Sequence, residues 1–236
     1  MGILRAAFDD LGSLIWPAQC PVCSEILDRS GSAPACSCDP LPQGGILLAP
    51  RPWPAPVLPV LYGTETRGPV RRILHAFKYQ GLASAREILA DRLADVLKGS
   101  LPAHELGRTL PAHGIVVPVP THPVRVRERG WDHTHELARS VARRLKWPVW
   151  NALTRRRWTV SLTKLGEWER KTAVAGAIVP NRRAEGIGGE FVLLIDDVVT
   201  TAATLTECAG ALASADPGCL WAGAGARTPR RERTPW

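Results

Sequence analysis

The chain has 236 residues, 45% of them hydrophobic and 22% charged, which is ordinary usage for a globular protein able to bury a core. No apolar run approaches the roughly 20 residues that a membrane-spanning helix needs, so we expect no membrane insertion. The formal net charge of +8 favours polyanionic partners, either nucleic acid or a phosphorylated sugar, although a solvated basic face without a specific partner explains it equally well.

The N-terminal region carries a cysteine cluster and no secretory pattern. The first residues turn acidic at Asp9 and Asp10, where a signal peptide would stay apolar, so we expect a cytoplasmic protein. Two close cysteine pairs separated by a loop can offer four thiolates to a structural Zn²⁺, and free thiols are the alternative. The candidate ligands are Cys20, Cys23, Cys36 and Cys38.

The stretch from Pro40 to Pro59 is rich in proline and small residues, which is typical of a semi-extended linker. We therefore divide the chain into an N-terminal segment with the zinc element (1–50), an α/β domain (51–226) and a basic, disordered tail (227–236).

The predicted body begins with a helical segment and continues with alternating strands and helices. The apolar spacing predicts a helix over 85–97, a buried strand at 115–120 that is ended by prolines, and a helix that runs through Leu145. A further segment at 153–159 leads into a polar stretch that ends at Glu169 and Arg170.

Residues 191–204 carry the strongest chemical pattern. Five apolar residues, 191–195, predict a buried strand, and Asp196 and Asp197 follow at its carboxyl end, where open α/β sheets bind ligands. The hydroxyl-rich turn 200–204 then opens a helix, so its N–H groups can hold a phosphate while the carboxylates accept hydrogen bonds from sugar hydroxyls and hold Mg²⁺ through water. Ordinary helix capping is the alternative reading.

Two other nucleotide-binding motifs are excluded. The chain has no Gly-Lys dipeptide, so it lacks the phosphate loop of P-loop ATPases. Gly223 and Gly225 follow a plausible strand, but no helix with a third glycine comes next, which argues against a dinucleotide-binding turn.

The run 191–204 resembles the phosphoribosyl-pyrophosphate (PRPP) signature of type I phosphoribosyltransferases. That signature has four apolar residues, two acids, two apolar residues and Thr-Thr-Gly-x-Thr. Ala202 stands where the family usually has glycine, and this puts phosphate affinity in doubt because glycine tolerates positive φ and close backbone approach.

The order of the motifs resembles the ComF family of competence-associated, phosphoribosyltransferase-like proteins, over roughly residues 16–226. The four-cysteine element, Lys78-Tyr79, the Pro-Val-Pro motif at 118–120, Arg129-Gly130 and the acidic signature follow one another as in that family. The resemblance implies an α/β fold with a parallel sheet of the type I phosphoribosyltransferase kind, flanked by helices and preceded by a small zinc-binding head.

Several side chains depart from the family pattern at the implied site. Trp131, Asp132 and His133 replace an aromatic residue followed by Asn and Gln, Leu162 replaces Gln, and Ala173 replaces Asn. These changes favour altered or relaxed ligand binding.

The resemblance also implies the role of each site residue. The turn would bind the 5′-phosphate, Asp196 and Asp197 the ribose hydroxyls, Arg129 the pyrophosphate, and Lys164, in the mobile 157–170 hood, the leaving group. A solvated loop lysine is the alternative for Lys164, and a surface salt bridge with Glu128 or Glu136 is the alternative for Arg129. The implied PRPP- and Mg²⁺-binding residues are Asp196, Asp197, Thr200, Thr201, Ala202, Ala203 and Thr204.

Two functions from different classes remain open. One is a phosphoribosyltransferase that transfers a 5-phosphoribosyl group from PRPP to an unknown acceptor. The other is a non-catalytic protein that binds a phosphoribosyl ligand, while its zinc head and basic surface contact single-stranded DNA or a competence helicase during natural transformation. The altered polar set favours the binding role.

Overall fold

The computed structural model describes residues 20–21, 41–50, 57–99, 101–156 and 176–229. Short 3₁₀ turns at Arg182–Ile187 and Ala213–Ala215 join some of the main elements. In chain order these main elements are β1 (Gly45–Pro50), β2 (Val57–Glu65), α1 (Val70–Gln80), α2 (Ala83–Lys98), α3 (Leu101–Leu106), β3 (Ile115–Pro118), α4 (Pro123–Arg129), α5 (His133–Leu145), β4 (Leu153–Arg155), β5 (Ile178–Pro180), β6 (Phe191–Val199), α6 (Ala203–Ala211) and β7 (Cys219–Arg227).

A five-stranded, mostly parallel sheet forms the centre of the fold. Its strand order is β1-β2-β7-β6-β3, and every neighbouring pair is parallel except β1 with β2. A second, two-stranded antiparallel sheet pairs β4 with β5. The predicted α/β class, with a mostly parallel sheet flanked by helices, is confirmed.

The two faces of the central sheet pack against different elements. Leu193 and Ile195 of β6 pack on the face covered by α1, α2 and α5, whereas Val192 and Leu194 face α6 and the small sheet. This alternation follows from the two-residue period of a strand, and apolar residues on both faces are what a buried parallel strand requires.

Helix α2 packs closely on the sheet because small residues face it. A Cβ at Gly63 of β2 would lie 2.7 Å from the backbone nitrogen of Leu93, and one at Gly225 of β7 would lie 3.3 Å from Leu89. Gly225 therefore serves close packing within a strand.

The linker prediction for 40–59 is wrong at its centre. Residues 45–50 form the edge strand β1, in which Ala49 is 2% exposed and packs into the core while Leu48 is 57% exposed. Prolines can occupy a strand end and an edge pairing because no donor is needed on the outer side, so proline content alone did not exclude a strand here.

Several residues to which the sequence analysis gave a role lie outside the described residues. Cys23, Cys36 and Cys38 lie outside them, as do Leu162, Lys164, Ala173 and residues 230–236. Arg227, assigned from the sequence to the tail, is the last residue of β7. Among the described residues, no helix has the length and apolar character needed to cross a bilayer.

Candidate functional site

Asp196 and Asp197 lie in the part of β6 that extends beyond the end of its neighbour β3. The pairing of β3 with β6 ends at Pro118 and Ile195, whereas β6 continues beside β7 to Val199. The strand is therefore longer than the five residues predicted, and both acids belong to it. Both acids therefore lie at the carboxyl edge of the sheet, where open α/β sheets bind ligands in a crevice.

Asp197 contacts two donors through a single oxygen. Its Oδ2 lies 2.8 Å from Lys78 Nζ and 3.0 Å from His133 Nε2. Lys78 is in the last turn of α1 and His133 in the first turn of α5, and both helices cover the same face of the sheet. The packing of two helices therefore forms this cluster.

Charge pairing decides the protonation of Asp197 and Lys78. Burial by itself raises the pKa of Asp197, but the Lys78 charge and the His133 contact outweigh it and hold that pKa well below its usual range. Burial also favours the neutral amine of Lys78, yet Asp197 outweighs it and raises the pKa of Lys78. The two side chains form an ion pair at neutral pH.

His133 lies between Arg129 and Asp197 and contacts both. Arg129 Nη1 lies 3.0 Å from both ring nitrogens, and a guanidinium only donates hydrogen bonds, whereas the Asp197 carboxylate only accepts them. A tautomer with its proton on Nε2 can accept from Arg129 through Nδ1 and direct its N–H towards Asp197 Oδ2, 3.0 Å away. Arg129 is thereby linked to the carboxylate through His133.

Arg129 faces the cluster, and the surface salt bridge weighed as its alternative does not form. Glu128 pairs with Arg125 at 3.5 Å, and Glu136 pairs with Arg86 at 3.2 Å. The Arg129 guanidinium instead lies 5.3 Å from the centre of the exposed Tyr79 ring, in a cation–π arrangement.

Asp196 is in a different environment from its neighbour. Its Oδ1 accepts a hydrogen bond from the Asp197 backbone N–H at 2.8 Å. Burial, reinforced by the nearby Asp197 charge, raises the pKa of Asp196 to about 7. Asp196 and Arg155 are close enough to influence each other's charge: burial lowers the pKa of Arg155, and the Asp196 charge opposes that change. The pKa of Asp196 is thus raised, whereas that of the adjacent Asp197 is lowered.

The turn predicted to bind phosphate follows β6 directly and leads into α6. Thr200 is exposed and Thr201 and Thr204 are half-buried. Ala202 is 4% exposed and adopts φ 58° and ψ 11°, the left-handed conformation that glycine adopts without strain. The first N–H groups of α6 lack intrahelical acceptors, so the turn presents donors beside the carboxylates. The backbone at Ala202 therefore has the left-handed conformation that is typical of glycine.

A small cavity lies between the turn after β3 and strand β4. It measures about 210 Å³, with Arg155 and Thr154 on one wall and Thr121 and Asp132 on the other. Asp132 Oδ1 accepts from Thr121 Oγ1 at 2.9 Å and from the His135 backbone N–H at 3.2 Å, so it caps α5. Asp132 therefore serves as the N-cap residue of this helix.

The structure adds two residues that the sequence did not assign to the site. Lys78 belongs to the Lys-Tyr motif but had no role, and His133 was noted only as a departure from the family pattern, without a role of its own. The helical period could have shown that Lys78 lies in the last turn of α1, but its contact with Asp197 depends on helix packing.

The residues present fit Mg²⁺ only in part. Asp196 is available for a water-mediated contact, whereas Asp197 Oδ2 already contacts an ammonium and an imidazole, so an ion shared by both carboxylates does not fit. Among the described residues, no three His, Cys, Asp or Glu side chains are grouped to hold a metal. Cys20 is buried, and its three predicted co-ligands lie outside the described residues.

No protein-family model matches the sequence, and no curated protein matches it. Similar solved structures include glutamine PRPP amidotransferase from B. subtilis in complex with ADP and GMP, with a TM-score of 0.38 and 15% identity over 64% of this chain. The match covers 30% of that chain, so this chain aligns with less than a third of it.

Smaller proteins are also similar. A mutant hypoxanthine phosphoribosyltransferase from Trypanosoma cruzi, in a ternary substrates complex, has a TM-score of 0.33 and 19% identity over 71% of this chain and 73% of its own. Hypoxanthine-guanine phosphoribosyl transferase from L. donovani has a TM-score of 0.32 and 12% identity over 66% of this chain and 71% of its own.

Proposed function

We propose that this protein binds a phosphoribosyl ligand, PRPP or a related sugar phosphate, at the carboxyl edge of its sheet. The observation that carries the proposal is the placement of Asp196 next to the donor-rich turn that opens α6, both beside the crevice beyond β3. A carboxylate suits the vicinal hydroxyls of ribose, and the turn suits its 5′-phosphate.

The site also has the positive charge that such a ligand needs. Lys78 and Arg129 lie on one side of the carboxylates and Arg155 on the other, as the proximities described above indicate. PRPP carries three phosphoryl groups, so cations on both sides of the sugar would lower the free energy of binding. If Mg²⁺ accompanies the ligand, Asp196 is the residue that would hold it, and the ion would neutralise charge on the pyrophosphate.

We further propose that the protein belongs among ComF-like proteins and acts in the handling of incoming DNA. The motif order and the basic surplus support this proposal. The zinc head, with Cys20, Cys23, Cys36 and Cys38, and the basic surface would contact single-stranded DNA or a helicase.

An active phosphoribosyltransferase is the second candidate, and the cavity beside β4 favours it. A reaction at the sugar's C1′ needs room for an acceptor, and the 210 Å³ cavity between the turn after β3 and β4, which Arg155 lines, is the candidate space. In that reaction the bond from C1′ to pyrophosphate breaks, the acceptor bonds to C1′, and pyrophosphate leaves. Lys164 stays a candidate for contacting that leaving group.

Calorimetry tests the binding proposal. Titration of PRPP with Mg²⁺ should give saturable binding that the Asp196→Asn variant weakens at least tenfold. The matched control is Asp216→Asn, since Asp216 is exposed with φ 47°, a conformation that Asn also adopts. Absence of binding by the native protein, or equal affinity in the Asp196 variant, would contradict the assignment.

Two further measurements separate the candidates. Pyrophosphate release in an acceptor screen would establish the enzyme. Affinity for single-stranded DNA that falls steeply between two salt concentrations, without pyrophosphate release, would favour the DNA-handling role.

A further inference from the structure

Lys78 has an unusual position in the cluster, because the cation is more exposed than the carboxylate that holds it. The Lys78 side chain is 24% exposed and that of Asp197 is 10% exposed. A ligand that approaches the carboxyl edge therefore meets the ammonium before it meets the Asp197 carboxylate.

The sharing of Asp197 limits what else that side chain can do. Its Oδ2 contacts both Lys78 Nζ and His133 Nε2, and its Oδ1 accepts from the Val198 backbone N–H at 2.6 Å. With donors on both oxygens, Asp197 is suited to anchoring cations, whereas Asp196 stays suited to the ribose hydroxyls.

Lys78 has a second cation nearby. Asp197 and Asp196 favour the ionised form of Lys78, whereas the charge of Arg129 opposes it. An anion bound by both Lys78 and Arg129 would relieve the repulsion between these two cations.

We propose that Lys78 is a ligand-contacting residue and that its ammonium, anchored by Asp197, binds the pyrophosphate group of the phosphoribosyl ligand. This inference rests on the proposed function and deepens it, since it assigns a fixed cation of the folded core to the leaving group. Arg129 lies on the same side, so the two cations would share the pyrophosphate oxygens.

The proposal distinguishes two ligands that differ only in pyrophosphate. PRPP carries this group at C1′, whereas ribose 5-phosphate has a hydroxyl there. Lys78→Met should weaken PRPP at least tenfold and change ribose 5-phosphate affinity less than threefold, because a charge-assisted contact to one phosphoryl group is lost. Lys78→Arg should restore part of the PRPP affinity.

Calorimetry with both ligands gives the test, and Lys98→Met is the control because Lys98 Nζ hydrogen-bonds the Arg144 carbonyl away from the crevice. If the native protein binds neither ligand, the proposed function fails. If it binds both and Lys78→Met weakens them equally, or weakens neither, only the role of Lys78 is overturned.

A measurement on the native protein covers the case in which Lys78→Met does not fold. Lysine acetylation read by mass spectrometry should slow at Lys78, and not at Lys98, when inorganic pyrophosphate is added. Unchanged acetylation of Lys78 at a pyrophosphate concentration that displaces PRPP would overturn the proposal.

Discussion

Asp196 and Asp197 are neighbours in sequence, yet burial acts on them with opposite results. Asp197 is compensated by Lys78 and His133, so its charged form is favoured. Asp196 has no comparable compensation, and its pKa is raised to about 7. The ionised Asp197 therefore stabilises the folded protein at neutral pH. The ionised form of Asp196 is disfavoured, and a ligand that donates hydrogen bonds to it would stabilise that form.

This contrast predicts opposite effects on stability. Asp197 has a lower pKa in the folded protein than its ordinary value of 3.8, so its contribution is present above that pH and is lost as the pH falls. Asp197→Asn should therefore lower the free energy of unfolding at pH 7 by about 2 kcal/mol, because it leaves the Lys78 ammonium without its anion. Urea unfolding at several pH values measures this.

The contribution of Asp196 to stability changes with pH in the opposite direction. Its folded-state pKa of about 7 exceeds the ordinary 3.8, so the folded protein binds more protons and loses stability as the pH rises between these values. Asp196→Asn should remove that loss and gain about 1 kcal/mol or more at pH 8 relative to native protein. If both Asn variants shift stability in the same direction at pH 8, the two carboxylates do not differ as described.

Ala202 offers a second prediction at the scale of one residue. Its left-handed backbone costs an alanine roughly 1 kcal/mol relative to glycine. Ala202→Gly should therefore gain up to about 1 kcal/mol of stability and tighten ribose 5-phosphate binding, since the turn is freed from a Cβ. Ala211→Gly at the end of α6 is the control and should be neutral or destabilising; a loss at Ala202 as large as at Ala211 would contradict the interpretation.

At the scale of elements, the packing of α2 on the sheet determines the position of Lys78, the residue of α1 that contacts Asp197. The helix packs on β2 and β7 at Gly63 and Gly225, positions that leave room for its backbone. Because α1 and α2 follow each other with only two residues between them, the seating of α2 also sets the end of α1, where Lys78 lies.

A glycine pair tests this packing. A Cβ at Gly63 would meet backbone atoms of α2 at 2.7 and 3.0 Å, so Gly63→Ala should destabilise by about 2 kcal/mol. Gly210 in α6 has no atom within 4 Å of such a Cβ, so Gly210→Ala should be neutral or stabilising by up to about 1 kcal/mol. Thermal unfolding of both variants measures the difference, and equal midpoints would show that α2 does not rest on Gly63.

Elements were predicted well where apolar periodicity was strong. The helix around 85–97 and the strands at 115 and 191 follow directly from their patterns, and the structure confirms them. Strand β1 was missed because the prolines around it resemble those of a linker. The alternation of exposed Leu48 and buried Ala49 shows which face of β1 packs into the core. Pairing with β2, a contact between distant residues, determined the outcome.

At the scale of the whole molecule, the sequence predicted which edge of the sheet carries the site but not how helices complete it. Asp196, Asp197 and the turn are contiguous in the chain, so their proximity is a local property. Lys78 and His133 reach Asp197 from positions more than 60 residues away, and only the packing of α1 and α5 on one face brings them together. The periodicity of the sequence predicts which face of a helix or strand is buried and where the element ends. Which distant residues come into contact depends on the topology of the fold.

The predicted zinc head is tested by metal content. The purified chain should carry about one zinc per molecule, and Cys20→Ser should lose most of it, because a structural site needs all four thiolates. Cys219→Ser is the control, since Cys219 lies at the start of β7. Zinc-free protein, or zinc retained by the Cys20 variant, would contradict the four-cysteine assignment.

The central claim is that the carboxyl edge of this sheet binds a phosphoribosyl group, and a crystal structure with ribose 5-phosphate tests it most directly. We predict the phosphate on the backbone N–H groups of residues 200–204 and the sugar hydroxyls on Asp196, with Asp197 still contacting Lys78 and His133. Ribose 5-phosphate bound elsewhere, with this turn empty at saturating concentration, would contradict the account.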